Sequence, residues 1–81
     1  MSAEMELRSY VLENYLFTDD QSQLNNEDSF MDKGIVDSTG ILEIITFIED
    51  EYDISVEDSE MIPENLDSIN NLVKYLEKKK A

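Results

Sequence analysis

The chain has 81 residues, enough for one small domain with a modest core and a narrow margin of stability. It contains no cysteine, histidine or tryptophan, which excludes disulfides, thiolate metal sites, a Ser-His-Asp triad and the commonest general base. Twenty acidic residues against six basic ones give a net charge of −14, so nucleic acid and anionic membrane are poor partners and a basic protein surface is a good one.

Residues 3–17 read as a first helix, because Met5, Leu7, Val11, Leu12, Tyr15 and Leu16 recur at three- and four-residue steps. Ser2 is a candidate cap, and Glu4 and Glu6 suit the positive end of the helix dipole. Residues 18–37 follow as a long polar connection with Leu24 as its lone anchor. Phe30, Met31, Ile35 and Val36 then pin its second half to a core. Gly34 is expected to supply a positive φ. Residues 38–52 read as the second helix, with Ile41, Ile44, Ile45, Ile48 and Tyr52 on one stripe. Isoleucine is a middling helix former, so burial must stabilise this helix more than propensity does.

Asp53 to Ser55 is a turn. Val56 to Ile62 holds at most one short helical turn, with Val56, Met61 and Ile62 as its apolar contacts. Pro63 can start a helical turn but not continue one. Residues 66–79 read as the last helix, with Leu66, Ile69, Leu72, Val73 and Leu76 facing inward and Asp67 and Ser68 as capping candidates. The expected fold is all-α: a small bundle of three main helices plus one short helix, forming a single domain over residues 1–81.

A hydrophobic fraction of 41% argues against disorder despite the charge. No apolar run approaches the ~20 residues of a membrane span. The N-terminus lacks a basic segment followed by an apolar one, so a cytoplasmic protein without membrane insertion is expected, and a monomer. The charge is uneven. Between Lys33 and Lys74 there is no basic residue and there are 11 acidic ones. Such a face is solvating in the plainest reading, and it repels itself at low salt.

The segment Gly34-Ile35-Val36-Asp37-Ser38 joins the loop to the patterned second helix. Asp and Ser are favoured N-cap residues, so the pair has a purely structural explanation. A helix N-terminus is also a favourable place for a phosphate-bearing modification, since free N–H groups and the dipole meet the anion there. Two other readings of an acidic helical chain fail. Asp32 and Glu43 are spaced like the ends of a calcium loop, but Gly34 and Val36 fill ligand positions and Asp37 stands where the loop needs glycine. Carboxylate pairs for hydrolysis abound, and no spacing singles one out.

Gly34-Ile35-Val36-Asp37-Ser38, followed by Thr39-Gly40-Ile41-Leu42-Glu43 and the acidic run to Tyr52, resembles the acyl carrier protein family, in which a G-(I/V)-(I/V)-D-S motif precedes the second helix. Pro63-Glu64-Asn65-Leu66-Asp67-Ser68-Ile69 is similar to the approach to that family's last helix. The resemblance implies that Ser38, flanked by Asp37, carries a 4′-phosphopantetheine arm whose thiol holds acyl groups as thioesters for fatty-acid, lipid or secondary-metabolite synthesis. It implies a carrier rather than an enzyme. The arm would come from coenzyme A through a phosphopantetheinyl transferase with Mg²⁺, Ser38 Oγ attacking the diphosphate. Thr39 and Gly40 depart from the family pattern and point to a specialised stand-alone member.

Helical geometry puts residues 39, 42, 43, 46, 49 and 50 on one face beside Ser38. Acyl-loading, condensing and acyl-transfer enzymes are therefore expected to bring basic patches to Glu43, Glu49 and Asp50, with Thr39, Leu42 and Thr46 between them. Two alternatives stay open: an unmodified acidic interaction module in which Ser38 only caps a helix, and an aminoacyl or peptidyl carrier.

Overall fold

The isoleucine stripe of the second helix lies at the centre of the molecule. A computed structural model describes residues 3–80. It places Ile44 and Ile48 out of contact with water and leaves Ile45 only 5% exposed. Each such side chain contributes roughly 1.5–3 kcal/mol by leaving water, more than the weak helix propensity of isoleucine takes away.

The elements in order are α1 (Ala3–Val11), α2 (Ser38–Tyr52), a short α3 (Pro63–Leu66) and α4 (Ile69–Lys80), with no strand among the described residues. α1 continues through a π-helical turn, Leu12–Leu16, and 3₁₀ turns lie at Gln21–Gln23 and Asp58–Glu60. This is the expected all-helical bundle. Side-chain contacts give the directions. Tyr10 of α1 stacks on Phe47 of α2, Tyr52 at the end of α2 reaches Glu6 near the start of α1, and Tyr15 beyond α1 reaches Glu43 near the start of α2. The two helices therefore run antiparallel. The Lys80 ammonium lies 5.5 Å from the centre of the Tyr52 ring, so α4 ends where α2 ends. Leu7, Val11, Phe30, Ile44, Ile69 and Leu72 form the heart of one shared core.

Several expectations need correction. The last helix does not run unbroken from residue 66. Pro63 opens α3 at its first position, and Leu66 closes it. Ser68 then starts α4, its hydroxyl accepting from the Asn71 N–H at 3.1 Å. Asp67 is used elsewhere, as described below. The connection of residues 18–37 is not wholly irregular, because Asp20 caps the 3₁₀ turn by accepting from the Ser22 N–H. Met5, Met31, Met61 and Ile62 are exposed rather than buried. Tyr75, absent from the expected inner face, is buried. Ser2 lies outside the described residues. Leu24, by contrast, is the buried anchor expected, and Gly34 has φ +67°.

Arg8 is buried in the first helix and faces four neutral acceptors. Its guanidinium donates to Gln21 Oε1 (2.9 Å), Asn26 Oδ1 (2.6 Å) and the backbone carbonyls of Gln21 and Leu24 (2.7 Å each). Arginine suits this role because its planar fork presents five donors at once. The first half of the long connection is thereby fastened to α1.

With few cations available, the acids find other donors. Among the described residues the one ion pair is Lys79–Glu60 at 3.0 Å. Three tyrosine hydroxyls donate to glutamates: Tyr15 to Glu43 (2.6 Å), Tyr52 to Glu6 (2.9 Å) and Tyr75 to Glu60 (3.0 Å). Burial, then the adjacent carboxylate, pushes the Tyr75 phenol up to about 12. The same two causes raise Tyr15 and Tyr52 well above the ordinary phenol range. A raised pKa in the folded state means that the folded form holds its proton more tightly. The stabilisation is complete below about pH 10 and is lost as pH climbs toward the folded values. The domain should therefore lose stability steeply above pH 10, and Tyr15→Phe/Tyr52→Phe/Tyr75→Phe should flatten that decline. A chemical-denaturation series from pH 8 to pH 11.5 checks this, and equal slopes for the two proteins would refute it.

Candidate functional site

The site begins with a turn. The N–H groups of Ile35 (2.9 Å) and Val36 (3.3 Å) both close on the Phe30 carbonyl, and Gly34 N–H reaches the Met31 carbonyl (3.2 Å). Phe30 is fully buried and Val36 nearly so, so the turn is anchored in the core on both sides. Asp67 fastens it from below. Its carboxylate accepts from Ser29 Oγ and from the Met31 N–H, and its carbonyl accepts from the Phe30 N–H.

Asp37 then takes extended backbone and caps α2, its carboxylate accepting from the Gly40 N–H at 2.8 Å. The capping role falls to Asp37. Ser38 is the first residue of the helix and is exposed. Among the described residues no hydrogen bond engages its hydroxyl. Its oxygen thus stands free at the N-terminal end of a 15-residue helix, where unpaired N–H groups and the dipole favour an anionic substituent.

Gly40 has a local reason. A Cβ there would lie 2.4 Å from Val36 Cγ1 and 3.2 Å from the Tyr15 ring. The absence of a side chain lets the Val36 turn and Tyr15 close onto the first turn of α2. The Tyr15 hydroxyl lies 3.3 Å from the Gly40 carbonyl as well as against Glu43.

Beside Ser38 lies an apolar cavity of about 190 Å³, lined by Met31, Ile41, Met61, Ile62, Pro63 and Leu66, with Ser38 and Asp67 at its edge. This is where Met31, Met61 and Ile62 go instead of the core. The sequence does not resolve such a cavity: an apolar residue, Ile41 of the second helix included, reads alike whether it fills a core or borders a groove.

The expected partner face is only partly assembled. Thr39, Leu42, Glu43, Thr46 and Asp50 are exposed on α2 beside Ser38, Leu42 at 58%. Glu49 is half-buried and turned toward the loop after α2, where its carboxylate accepts from the Val56 N–H at 3.0 Å. That amide would otherwise lack an acceptor near the core. Glu43 is tied by Tyr15, and Thr46 Oγ1 bonds back to the Leu42 carbonyl at 3.2 Å. Among the described residues no cluster of three metal-ligating side chains could hold an ion, and no helix is long and apolar enough to cross a membrane.

The free serine, the helix terminus and the adjoining apolar cavity suit a phosphate-linked organic arm. Comparison with known proteins agrees. The family model described as "Phosphopantetheine attachment site" matches residues 15–76. D-alanyl carrier proteins of Streptococcus mutans, Streptococcus sanguinis and Streptococcus gordonii are each 35% identical to the chain over 71 residues, covering 85% of it and 89% of the relative. The chain belongs to the phosphopantetheine-binding carrier family: it is a non-catalytic carrier that depends on a 4′-phosphopantetheine group and on the transferase and loading enzymes that serve such carriers.

Proposed function

We propose that the chain carries an aminoacyl group, with the 4′-phosphopantetheine arm attached to Ser38, and that residues 1–81 act as one carrier unit. The observation that carries the cargo reading is the similarity to three D-alanyl carrier proteins along most of both chains. It favours the aminoacyl alternative over fatty-acid synthesis. The cavity beside Ser38 supports it. At about 190 Å³ it lies below the roughly 300–1,000 Å³ of pockets that enclose a drug-sized ligand, so it is ill suited to shelter a long acyl chain.

When bound, the arm supplies a thiol that holds the cargo as a thioester. The residues of the chain have simpler tasks. Ser38 Oγ is the point of attachment. The N–H groups that open α2 would receive the phosphate, and the apolar wall of Ile41, Met61, Ile62 and Leu66 would offer the arm a resting surface. Asp37 keeps the helix terminus formed. Thr39, Leu42, Glu43, Thr46 and Asp50 meet partner enzymes, with Glu49 bracing the helix from behind. Basic patches on those enzymes would act mainly through association rate, since exposed pairs are worth only roughly 0.2–1 kcal/mol each.

The test is intact-mass analysis of the protein purified at mildly acidic pH from cells that make it. The expected spectrum shows the arm plus one aminoacyl residue (an amino acid less the water lost in forming the thioester), the increment being released by hydroxylamine. A fatty-acyl increment would overturn the cargo reading. A bare chain that gains nothing on incubation with coenzyme A, Mg²⁺ and a promiscuous transferase would favour the unmodified interaction module.

A further inference from the structure

Three exposed residues, Asp37, Ser38 and Thr39, join two fixed points at the entry to α2. On one side Val36 is 3% exposed, and its N–H joins that of Ile35 on the Phe30 carbonyl. On the other, Gly40 is buried, and α2 runs on into the buried Ile44 and Ile48. The chain bends so sharply between them that Val36 folds back over the first helical turn. A Cβ on residue 40 would lie 2.4 Å from Val36 Cγ1, against roughly 3.5–4.0 Å for ordinary carbon contact. The Tyr15 ring also borders the position, 3.2 Å from the same point.

A side chain at position 40 therefore demands a displacement of about 1 Å. Val36 is poorly placed to give it, since a β-branched side chain is stiff, this one is buried, and its backbone is bonded to Phe30. The displacement falls on the three exposed residues in between, and Ser38 is the middle one. Glycine is otherwise a cost inside a helix, where alanine is favoured, so Gly40 answers to the bend and not to the helix. We propose that Gly40 is a positioning residue for arm transfer, on the reading that Ser38 is the point of attachment. Its missing side chain keeps the bend closed and so sets where Ser38 Oγ meets the transferase. A reacting oxygen misplaced by about 1 Å can slow a reaction by as much as a hundredfold.

The experiment measures initial rates of arm transfer from coenzyme A by a promiscuous transferase with Mg²⁺, over a range of carrier concentrations. The full-length chains are wild type, Gly40→Ala, Val36→Ala and Val36→Ala/Gly40→Ala. Intact mass reads the product, and thermal melts fix a temperature at which all four are folded. Gly40→Ala is expected to lower kcat about tenfold and to leave KM for the carrier within about twofold, since Leu42, Glu43 and Thr46 keep their places on α2. Val36→Ala removes the Cγ1 that the new Cβ would meet. In that background Gly40→Ala should lower kcat by less than about threefold, although the chain is less stable. A glycine that served stability alone would leave kcat untouched in every folded chain. Equal kcat for Gly40→Ala and wild type would overturn the proposal. So would a loss confined to KM, or a kcat loss of one size in both backgrounds. If Gly40→Ala melts too low to assay, the double variant decides against Val36→Ala, and a fall beyond threefold there would overturn the proposal. A wild-type chain that gains no arm is a different outcome: it would remove the Ser38 reading, and this role of Gly40 with it.

Discussion

Ser38→Ala is expected to gain no mass when the full chain is incubated with coenzyme A, Mg²⁺ and a promiscuous phosphopantetheinyl transferase, while the wild-type chain gains one arm. The expectation is all-or-none because a methyl group offers no oxygen to form the phosphodiester. Such experiments are often clouded by unfolding, and here that risk is small. Ser38 is exposed, its hydroxyl makes no hydrogen bond among the described residues, and the cap of α2 is the neighbouring Asp37. Exposed substitutions of this kind usually change stability by no more than ~0.5 kcal/mol. The melting temperature of Ser38→Ala should therefore match that of wild type. A mass gain that survives the substitution would move the attachment to another hydroxyl and remove Ser38 from the site.

Arg8→Met should cost as much stability as truncating a core side chain. Methionine keeps much of the buried stem but removes every donor. The Gln21 and Leu24 carbonyls and Asn26 Oδ1 then lose the partner that now holds them at 2.6–2.7 Å. A buried acceptor left unsatisfied costs ~1–3 kcal/mol, and some of these groups will find water, so a total of about 2–5 kcal/mol is expected. A domain of this size has little more than about 4–12 kcal/mol in all. The melting temperature should fall by at least about 10 °C, at ~4–8 °C per kcal/mol. Arg8→Lys should fall between, since a single ammonium has three donors and cannot span the four acceptors. The surrounding negative charge helps to hold a cation in this position, so added salt should weaken the wild-type advantage. A thermal melt of Arg8→Met within two or three degrees of wild type, a margin of about half a kcal/mol, would show that the loop is held by other means.

The two halves of the chain differed in how much the sequence disclosed. α2 was legible to the residue, because Asp37 marks its start, isoleucines at helical spacing mark its inner face, and the pattern stops at Asp53. Gly34 and Leu24 were legible for similar local reasons. Arg8 was not. A charged residue next to Leu7 in an amphipathic helix reads as solvated, and its acceptors lie 13 to 18 residues away in a stretch without period. Asp67 and Ser68 were both plausible caps, and only the approach of Ser29 shows that Asp67 serves the loop instead. Glu49 read as a free surface acid for the same reason. Its partner is an amide in the next loop, and nothing in the spacing of charges reveals which amides need acceptors. The serine motif was visible as a motif, but that its cap and its free hydroxyl belong to different residues is a matter of geometry.

The connection from α1 to α2 is held at separated points: by Arg8 across Gln21, Leu24 and Asn26, by Asp67 at Ser29 to Met31, and by the burial of Phe30 and Val36. Between these points stand Asn25, Glu27, Asp32 and Lys33, all exposed. Their side chains can be exchanged with little effect on where the serine is presented. Such an arrangement separates the residues that set the register from those that only cover the surface. Substitutions in the exposed loop are expected to leave the register of Ser38 unchanged, because a few fastened residues hold it.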